Sequence, residues 1–470
     1  MINKNFIRWI TEFLIILLIF SSAYTLLYIS KNINNRLDNY KKITDSGILR
    51  AVAVKRDINS PYPGPFQDYF IDISDFLALR LWSKLDLVYT RTYEEAEKLI
   101  LQQKADILIR TNPLNNYRKT KLATTKPYIQ TSWHLVVNRD NIKTNKISDI
   151  KNGIITVTSD NPALPVLKEM QKNNNFRLNS SSAKTVRKIF SMIEAGQITG
   201  TVADNLTARS MRYLHPKAVS AESIKEKSQI GFSIHPDAHD LKFRINLFID
   251  NISDEDFIDL LAGHYFHKLD VFEYLDLRKF HRRIKNRLPE YIDIIKKYSK
   301  EYELDWRLVT SQIYQESHFN KWAESHASAK GLMQLMPSTA DSLGVGNIYS
   351  PEENIKAGIK YLKKLYDIFD KTDDRNRMKI ALATYNMGQG HMYDARDIAR
   401  DFGLNPDKWY NMIRVLPLLK KRKFYLSLKY GYARGDEPVN YVRKIAGFYE
   451  VMKAVFPEDE SEVQNVISLN

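Results

Sequence analysis

The chain has 470 residues, of which 70 are Lys or Arg and 55 are Asp or Glu, so that its formal charge is +15, and it contains no cysteine. The lack of cysteine excludes structural disulfides, thiolate metal sites, iron–sulfur clusters, cysteine nucleophiles and a lipid-modified N-terminal cysteine. The 44% of hydrophobic and 27% of charged residues are typical of a folded protein, and the length allows two or three domains. The excess of basic residues favours an anionic partner, such as nucleic acid, a membrane surface or an acidic polymer.

A long uncharged segment lies near the N-terminus. No residue of Phe13–Ser30 is charged, and Lys4 and Arg8 precede this segment. Its eighteen residues are close to the minimum for a helix that crosses a bilayer. Residues 1–30 therefore predict a retained membrane anchor or, alternatively, a cleaved signal peptide. Both imply export, which argues against nucleic acid and in favour of a cell-envelope polymer as the anionic partner.

Residues 31–46 are polar and predict a linker or a juxtamembrane helix, and residues 47–269 have the pattern of an α/β domain. Short apolar runs predict strands at Ile48–Val54, Leu85–Tyr89, Ala105–Ile109, Ile154–Thr158 and Gly200–Asp204. Helical segments lie between these runs. Strands that alternate with helices indicate βαβ units and a largely parallel sheet.

The pattern changes at about residue 270, where strand-like runs disappear and helical periodicity continues to residue 456. Within this all-α domain, the segment Arg278–Arg287 has six Lys or Arg among ten residues. Such a run predicts a solvated helix face, and contact with an acidic polymer is the alternative. The acidic tail, residues 457–470, predicts a frayed end.

A glutamate in an unusual position is the first candidate for chemistry. Asp305 is suited to cap a helix in which Trp306, Val309 and Ile313 form an apolar stripe. Glu316 follows three residues later and continues that stripe. A carboxyl group on an apolar face should have a raised pKa, which a general acid needs near neutral pH. The alternative is a glutamate at a helix end that is paired with a nearby Lys or Arg.

Two further motifs follow Glu316 in the helical domain. The glycine-led loop Gly331–Pro337 contains Gln334, whose amide could hydrogen-bond sugar hydroxyls, and Pro337 suits the first turn of a helix. Tyr385 and Asn386 come just before Gly388, which is a typical helix end.

Together with Glu316-Ser317 and the later Tyr441-Val442, these motifs have the order and spacing found in the family 1 lytic transglycosylases. The chain therefore resembles that family. The resemblance implies a goose-lysozyme-like helical domain from residue 270 to 456. Some membrane-bound members of that family carry an N-terminal solute-binding-type domain with two lobes, which residues 47–269 resemble. The resemblance therefore covers nearly the whole chain.

The resemblance also implies a reaction. The substrate would be the β-1,4 bond between N-acetylmuramic acid and N-acetylglucosamine in peptidoglycan, cleaved during cell-wall remodelling. Glu316 would protonate the glycosidic oxygen and then accept the proton of the muramyl 6-hydroxyl, which leaves a 1,6-anhydro end without consuming water. The neutral residues of the pattern would bind the substrate: Ser317, Gln334, Tyr385, Asn386 and Tyr441. No cofactor is expected.

Two other functions remain open at this point. One is a lysozyme-type hydrolase, and the other is a solute sensor whose helical domain grips glycan without cleaving it. An intact Glu316 favours the enzyme, because a pure binder has no need of a carboxyl group on an apolar face. The resemblance implies that the protein is located at the outer membrane, whereas a retained N-terminal helix would imply the inner membrane.

The α/β domain has its own candidate site. By resemblance to amino-acid-binding relatives, Arg118 would hold a ligand carboxylate and Asp204 the ammonium group, which suits an amino acid or a muropeptide stem. The alternative is that both residues are structural. His264 and His267 lie three residues apart, but no carboxylate motif accompanies them, so that a metal site is not expected.

Overall fold

The computed structural model describes residues 39–54, 65–110, 120–141, 144–159, 161–182, 185–253, 257–265 and 274–457. The uncharged segment Phe13–Ser30, Arg118, His267 and the tail from residue 458 lie outside these ranges. Within them, none of the helices has both the length and the apolar character that crossing a bilayer requires.

Helices and strands alternate in the described residues before 266. In chain order they are α1 (Asn39–Ser46), β1 (Ile48–Val54), α2 (Pro65–Arg80), β2 (Lys84–Thr90), α3 (Tyr93–Leu101), β3 (Ile107–Ile109), β4 (Ala123–Thr124), β5 (Ile129–Asn138), β6 (Gly153–Thr158), α4 (Leu164–Asn173), β7 (Phe176–Ser181), α5 (Val186–Glu194), β8 (Gly200–Asp204), α6 (Asn205–Met211), β9 (Ala218–Ile230), β10 (Ser233–Ile234), α7 (His239–Ser253) and α8 (Phe257–Tyr265). A short 3₁₀ turn, Ile147–Asp149, precedes β6.

These strands form two five-stranded sheets, one in each of two lobes. The first lobe has the strand order β2-β1-β3-β10-β4 and the second has β7-β6-β8-β5-β9. Strand β1 pairs in parallel with β2 and β3, and β6 with β7 and β8, which confirms the predicted βαβ units. The sheets are nevertheless mixed, because β10 runs antiparallel to β3 and β4, and β5 runs antiparallel to β8 and β9.

Helices replace strands after residue 274, as the periodicity predicts. They are α9 (Tyr274–Asn286), α10 (Ile292–Glu301), α11 (Trp306–Ser317), α12 (Pro337–Ser342), α13 (Pro351–Ile368), α14 (Asp374–Met387), α15 (Gln389–Asp401), α16 (Trp409–Val415), α17 (Arg422–Tyr425) and α18 (Asp436–Val455), with 3₁₀ turns at Leu288–Glu290 and Leu416–Lys420. In α9, Leu277, Phe280 and Ile284 are buried while most of the basic residues are exposed, so that the predicted solvated face is confirmed.

An ionic cluster joins the first lobe to the helical region. Helix α2 contributes the buried Asp68 and Asp72, and α14 contributes Arg375 and Lys379. Arg375 Nη1 lies 2.6 Å from Asp72 Oδ1, and Lys379 Nζ lies 2.7 Å from Asp68 Oδ2. Tyr265 on α8 donates a hydrogen bond to Asp72 Oδ2 at 2.7 Å. Removal of one partner would leave a buried charge uncompensated, so the cluster fixes α14 against the first lobe.

Aromatic side chains extend the same interface. Phe76 on α2 and Phe257 on α8 have ring centroids 4.3 Å apart, and Tyr410 on α16 packs edge-on against Phe257 at 5.8 Å. On the second lobe, Arg187 Nη2 donates to the carbonyl of Ala454 at 2.7 Å. Both lobes therefore contact the helical region directly, in addition to the covalent connection.

Candidate active site

The candidate catalytic carboxyl group belongs to Glu316, in the last turn of α11. Asp305 Oδ1 accepts a hydrogen bond from the Arg307 N–H at 2.8 Å, which confirms the predicted N-cap of this helix. Val309 and Ile313 are fully buried on the face that Glu316 continues, and the side chain of Glu316 itself is partly buried. The helix thus begins at a capped N-terminus and places the carboxyl group of Glu316 at the edge of the core.

Burial raises the pKa of Glu316 from 4.5 to about 8, and a hydrogen bond from Tyr441 offsets a smaller part of that rise. No Lys, Arg, Asp or Glu of the described ranges contributes to this shift. The ion-paired alternative is therefore wrong for the part of the chain that the structure describes. At neutral pH the carboxyl group mostly keeps its proton, which is the state that a general acid requires.

Tyr441, on α18, is the hydrogen-bonding partner of this carboxyl group. Its hydroxyl donates to Glu316 Oε1 with 2.5 Å between the two oxygen atoms. Burial and the charge of Glu316 raise the pKa of Tyr441 well above its usual value of 10. The phenol therefore stays protonated and offers a fixed donor to Glu316 in either of its protonation states.

Gln312 forms a second hydrogen bond with the hydroxyl of Tyr441. It lies one turn before Glu316 on α11, is fully buried, and donates from Nε2 to the Tyr441 oxygen at 3.2 Å. No sequence motif points to Gln312, because its partner Tyr441 comes from a helix far along the chain. The signal that could have found it is the four-residue spacing between Gln312 and Glu316, which places both on one helix face.

The loop Gly331–Pro337 is fixed by two neighbouring helices. Asn354 on α13 accepts a hydrogen bond from the Met333 N–H at 2.8 Å, and Tyr385 on α14 donates to the Met333 carbonyl at 2.8 Å. Gly331 has a φ of +81°, and a Cβ there would lie 2.3 Å from Asn354 Nδ2, so only glycine fits. The loop is therefore a rigid part of the site, and Pro337 begins α12 as predicted.

The predicted substrate-binding residues differ in what they contact. Tyr385 holds the loop and lies close enough to Glu316 for the glutamate charge to contribute, after burial, to a pKa well above 10 for the phenol. Asn386, the next residue, is exposed near the end of α14, which stops at Gly388 as predicted. Gln334 uses Nε2 to bind the carbonyls of Gly331 and Ala323, at 2.9 and 3.0 Å.

Ser317 does not contact the carboxyl group beside it. Its Oγ is buried and donates to the Ile313 carbonyl at 3.1 Å, within its own helix. The structure thus brings together Glu316, Tyr441 and Tyr385, and it places Asn386 on the surface beside Tyr385. Contact of these residues with a sugar stays a prediction.

The candidate ligand site of the α/β region is described only in part. Asp204 is buried and caps α6, because its Oδ1 accepts hydrogen bonds from the N–H groups of Leu206 and Thr207 at 3.1 and 3.0 Å. Burial raises its pKa even though these bonds oppose the rise. Arg118 lies outside the described residues, so that ligand binding by this pair stays a prediction. No cluster of His, Asp and Glu in the described ranges could hold a metal ion.

Comparison with known proteins gives a family match and structural neighbours. Residues 293–406 match the family model described as the transglycosylase SLT domain. An ancestral arginine-binding protein bound to arginine is similar in structure, with 17% sequence identity and a TM-score of 0.37 over 47% of this chain and 98% of that one.

Two curated relatives extend over most of the chain. The membrane-bound lytic murein transglycosylase F of Desulfosudis oleivorans is 34% identical over 330 residues, which are 70% of this chain and 73% of the relative. The protein of the same name from Vibrio cholerae is 28% identical over 427 residues, 87% of this chain and 80% of the relative. Since the match to the first spans nearly three quarters of that protein at this identity, the chain belongs to the family of the membrane-bound lytic murein transglycosylases F.

Proposed function

We propose that this chain is a peptidoglycan lytic transglycosylase that cleaves the β-1,4 bond between N-acetylmuramic acid and N-acetylglucosamine, with Glu316 as its acid and base. The observation that carries the proposal is a carboxyl group on an apolar helix face with a pKa of about 8 and a bound phenol donor. A group that is protonated at neutral pH and ionises only slightly above it can both give and take a proton during one turnover.

The first step is the transfer of the Glu316 proton to the glycosidic oxygen. The bond from this oxygen to C1 of the muramyl residue breaks, and positive charge develops at C1 and the ring oxygen. Glu316 is now a carboxylate, and its negative charge stabilises the positive charge that develops on the sugar. Tyr441 donates to this carboxylate from 2.5 Å and stabilises it at the moment when it is most costly in a buried site.

In the second step, the 6-hydroxyl of the same muramyl residue closes on C1. Its proton passes to the Glu316 carboxylate, the new O6–C1 bond forms the 1,6-anhydro ring, and the enzyme returns to its starting state. Water does not enter the balance. The pKa of about 8 suits this second transfer as well as the first, because a carboxylate of ordinary pKa would be a much weaker base.

The lysozyme-type alternative is not favoured, because it requires a second catalytic carboxylate. Hydrolysis with a protein nucleophile or a general base uses a second carboxylate about 5–10 Å from the first. No Asp or Glu of the described ranges contributes to the pKa of Glu316, which argues against such a partner close by. A substrate hydroxyl that replaces the nucleophile makes a single carboxyl group sufficient.

The remaining residues would position the glycan strand. Asn386 is exposed beside Tyr385 and has an amide that suits sugar hydroxyls and N-acetyl groups. Gln334 would act through its carbonyl oxygen, because both of its hydrogen bonds within the protein use Nε2. Ser317 would act indirectly, by holding the end of α11, because its hydroxyl is bonded to the helix backbone.

The enzyme would work in the cell envelope, on the periplasmic face of a membrane. The relatives are named as membrane-bound proteins, and Phe13–Ser30 has the length and composition of an anchor or a signal peptide. The solute-sensor alternative is not favoured, because a site that only binds glycan gains nothing from a partly buried carboxyl group of raised pKa.

The proposal is tested with the purified full chain and isolated peptidoglycan sacculi. The variant Glu316→Gln keeps the volume of the side chain but cannot transfer a proton, so that release of soluble muropeptides should fall at least about 100-fold. The matched control is Glu301→Gln, since Glu301 is exposed on α10. Activity should persist with a chelator present. Undiminished release by Glu316→Gln would refute the assignment.

A further inference from the structure

Two aromatic side chains form an exposed pair beside the loop Gly331–Pro337. Trp322 is 66% exposed, and its ring centroid lies 5.4 Å from that of Tyr349, with 41° between the ring planes. Single apolar residues are common on protein surfaces, but a tryptophan with two thirds of its surface open and a second ring beside it offers a broad apolar area. We call Trp322 and Tyr349 the aromatic platform.

Hydrogen bonds fix both residues of the platform. The hydroxyl of Tyr349 donates to Glu324 Oε2 at 3.4 Å, and its N–H donates to Asn347 Oδ1 at 3.0 Å. The N–H of Trp322 is held in the same way by Asn320 Oδ1, at 3.2 Å. The backbone of the platform is therefore ordered before any ligand arrives, which lowers the entropic cost of binding.

On the Trp322 side, hydrogen bonds join the platform to the loop of the candidate active site. The carbonyl of Ala323, the residue after Trp322, accepts from the Gly331 N–H at 2.9 Å and from Gln334 Nε2 at 3.0 Å. Gln334 is one of the residues predicted to bind the substrate. The tryptophan is therefore one residue away from an atom that fixes the candidate active site.

On the Tyr349 side, Asn354 makes the corresponding connection. Its Nδ2 donates to the carbonyl of Ile348, the residue before Tyr349, at 2.8 Å. Its Oδ1 accepts from the Met333 N–H of the loop, also at 2.8 Å. The platform and the loop are thus parts of one hydrogen-bonded surface.

The platform is also close to the catalytic carboxyl group along the chain. Only six residues lead from Glu316 to Trp322. Among them, His318 and Phe319 have left-handed φ angles of 54° and 57°, so that the chain turns sharply after α11. Six residues span at most about 22 Å even when fully extended. A glycan strand that reaches Glu316 is longer than this and can contact the platform with another of its sugars.

The charges beside the platform are paired. Lys321 Nζ lies 5.6 Å from the centroid of the tryptophan ring and 3.8 Å from Glu290 Oε1. Lys330 Nζ lies 5.9 Å from the centroid of the tyrosine ring and 3.7 Å from Glu324 Oε1. Nucleic acids and anionic lipid surfaces are bound by basic residues whose charge is not already compensated. The platform therefore suits an uncharged ligand.

A pyranose ring is an uncharged ligand that fits such a surface. Its C–H groups carry a small positive charge and pack against the electron-rich face of an aromatic ring. Its hydroxyl and acetamide groups point outwards, where Glu324, Lys321 and Lys330 offer hydrogen-bonding partners. Of the two sugars of peptidoglycan, N-acetylglucosamine carries no peptide, so that its ring can lie flat on the platform.

We propose that the aromatic platform binds an N-acetylglucosamine ring of the glycan strand, a few sugar units away from the bond that is cleaved at Glu316. This inference rests on the proposed function and adds a second contact with the same strand. The platform holds the strand by ring stacking, and long strands therefore bind more tightly than short fragments.

The test uses the hexamer of β-1,4-linked N-acetylglucosamine, which contains no muramyl residue and no peptide. Isothermal titration calorimetry measures its Kd for the full chain in a detergent without a sugar headgroup. Every protein in the series carries Glu316→Gln, so that binding is measured separately from catalysis. The matched control is Trp82→Ala, because Trp82 is also an exposed tryptophan, at 85%, but lies in the first lobe.

We expect Trp322→Ala to raise the Kd of the hexamer about tenfold, because one ring contact is lost. Trp322→Phe keeps an aromatic face and should raise the Kd only about twofold. Trp82→Ala should leave the Kd unchanged. Since both tryptophans are exposed, none of these changes should lower the melting temperature, which serves as the check on folding.

Two outcomes would overturn the inference. An equal Kd with and without Trp322→Ala would show that the sugar binds elsewhere, and failure of the hexamer to bind at millimolar concentration would show that the platform takes no sugar. Neither outcome bears on the proposed function, which is decided by the release of muropeptides from sacculi when Glu316 is intact. Conversely, a tenfold loss of binding in Trp322→Ala, in a chain that releases no muropeptides, would keep the platform and contradict the proposed function.

Discussion

The hydroxyl of Tyr441 donates a hydrogen bond to the carboxyl group of Glu316, with 2.5 Å between the oxygen atoms, although 125 residues separate the two in the chain. Helix α11 brings the acid and helix α18 brings the phenol, and these two helices pack against each other in the core of the helical region. The bond has the length of a charge-assisted O–H···O contact, so it favours the ionised form of Glu316 over the neutral form.

Replacing Tyr441 by Phe should therefore change both the rate and the pH dependence. Loss of the donor raises the pKa of Glu316 above its value of about 8, because the bond now lowers that pKa. A general acid is active below its pKa, so the decline in activity at alkaline pH should move to higher pH. The rate at neutral pH should fall about 100-fold, as for the loss of one preorganised donor.

Tyr449→Phe is the matched control for this variant. Tyr449 lies on the same helix, is also buried, and donates to Asp305 Oδ2 at 2.6 Å instead of to the catalytic carboxyl group. This variant should lose stability without any change in the pH profile. A Tyr441→Phe enzyme whose alkaline decline stays at the same pH, or moves to lower pH, would contradict the role given to the phenol.

Gln312 should act as a positioning residue. In Gln312→Met the phenol of Tyr441 loses the donor that fixes its oxygen at 3.2 Å, while the core keeps its volume. We expect kcat to fall about 2- to 10-fold with KM unchanged, the range for one ordinary hydrogen bond. Thr310→Val, whose hydroxyl bonds only the Trp306 carbonyl among the described contacts, should leave kcat unchanged. Equal kcat values for both variants would remove Gln312 from the mechanism.

The contact between Asp72 and Arg375 should contribute strongly to stability. Burial alone would raise the pKa of Asp72, but Arg375 and Lys379 outweigh burial and lower it. A carboxyl group with a lowered pKa stabilises the fold above its ordinary pKa and loses that contribution as the pH falls. Asp72→Asn should thus reduce the free energy of unfolding by about 3 kcal/mol at pH 7, with a smaller loss at acid pH.

Chemical denaturation at the two pH values measures this difference. The control is Glu169→Gln, which breaks a surface-exposed pair with Lys172 and should change the unfolding midpoint little. A destabilisation by Asp72→Asn that does not depend on pH would mean that packing, and not the charge pair, carries the effect.

Asp204 offers a way to separate a structural role from a ligand role. Asn is as good an N-cap as Asp, so Asp204→Asn should keep the stability of the second lobe, whereas Asp204→Ala should cost about 1 kcal/mol. If stem peptides or amino acids bind there, they should raise the melting temperature of the full chain. Asp204→Asn and Arg118→Ala should each remove most of that shift. No shift with any such compound would make the lobes a scaffold that positions the enzyme.

The parts of the site that depend on local sequence were predictable. The Asp305 cap, the stripe of Val309 and Ile313 and the raised pKa of Glu316 all follow from one helix, whose periodicity is visible in the sequence. The strand Gly200–Asp204 was predicted with its observed bounds for the same reason. Periodicity within one element needs no knowledge of its neighbours.

The features that depend on contacts between distant elements could not be predicted from local periodicity. Strands β5 and β9 pair antiparallel although strands β6, β7 and β8 lie between them in the chain, and the sequence of neither strand indicates its partner. The Arg375–Asp72 contact joins two helices of different domains, and each residue alone looks like an ordinary surface charge. Gln312 is important only because it forms a hydrogen bond with Tyr441, which lies on a helix more than a hundred residues later in the chain.

The most direct test of the central claim, that one carboxyl group cleaves the glycan without water, is the mass of the products formed from purified sacculi in heavy-oxygen water. We expect muropeptides with 1,6-anhydro ends, one water lighter than hydrolysis products and free of the heavy isotope, and we expect Glu316→Gln to form none of them. Products with reducing muramyl ends that carry the heavy oxygen would contradict it.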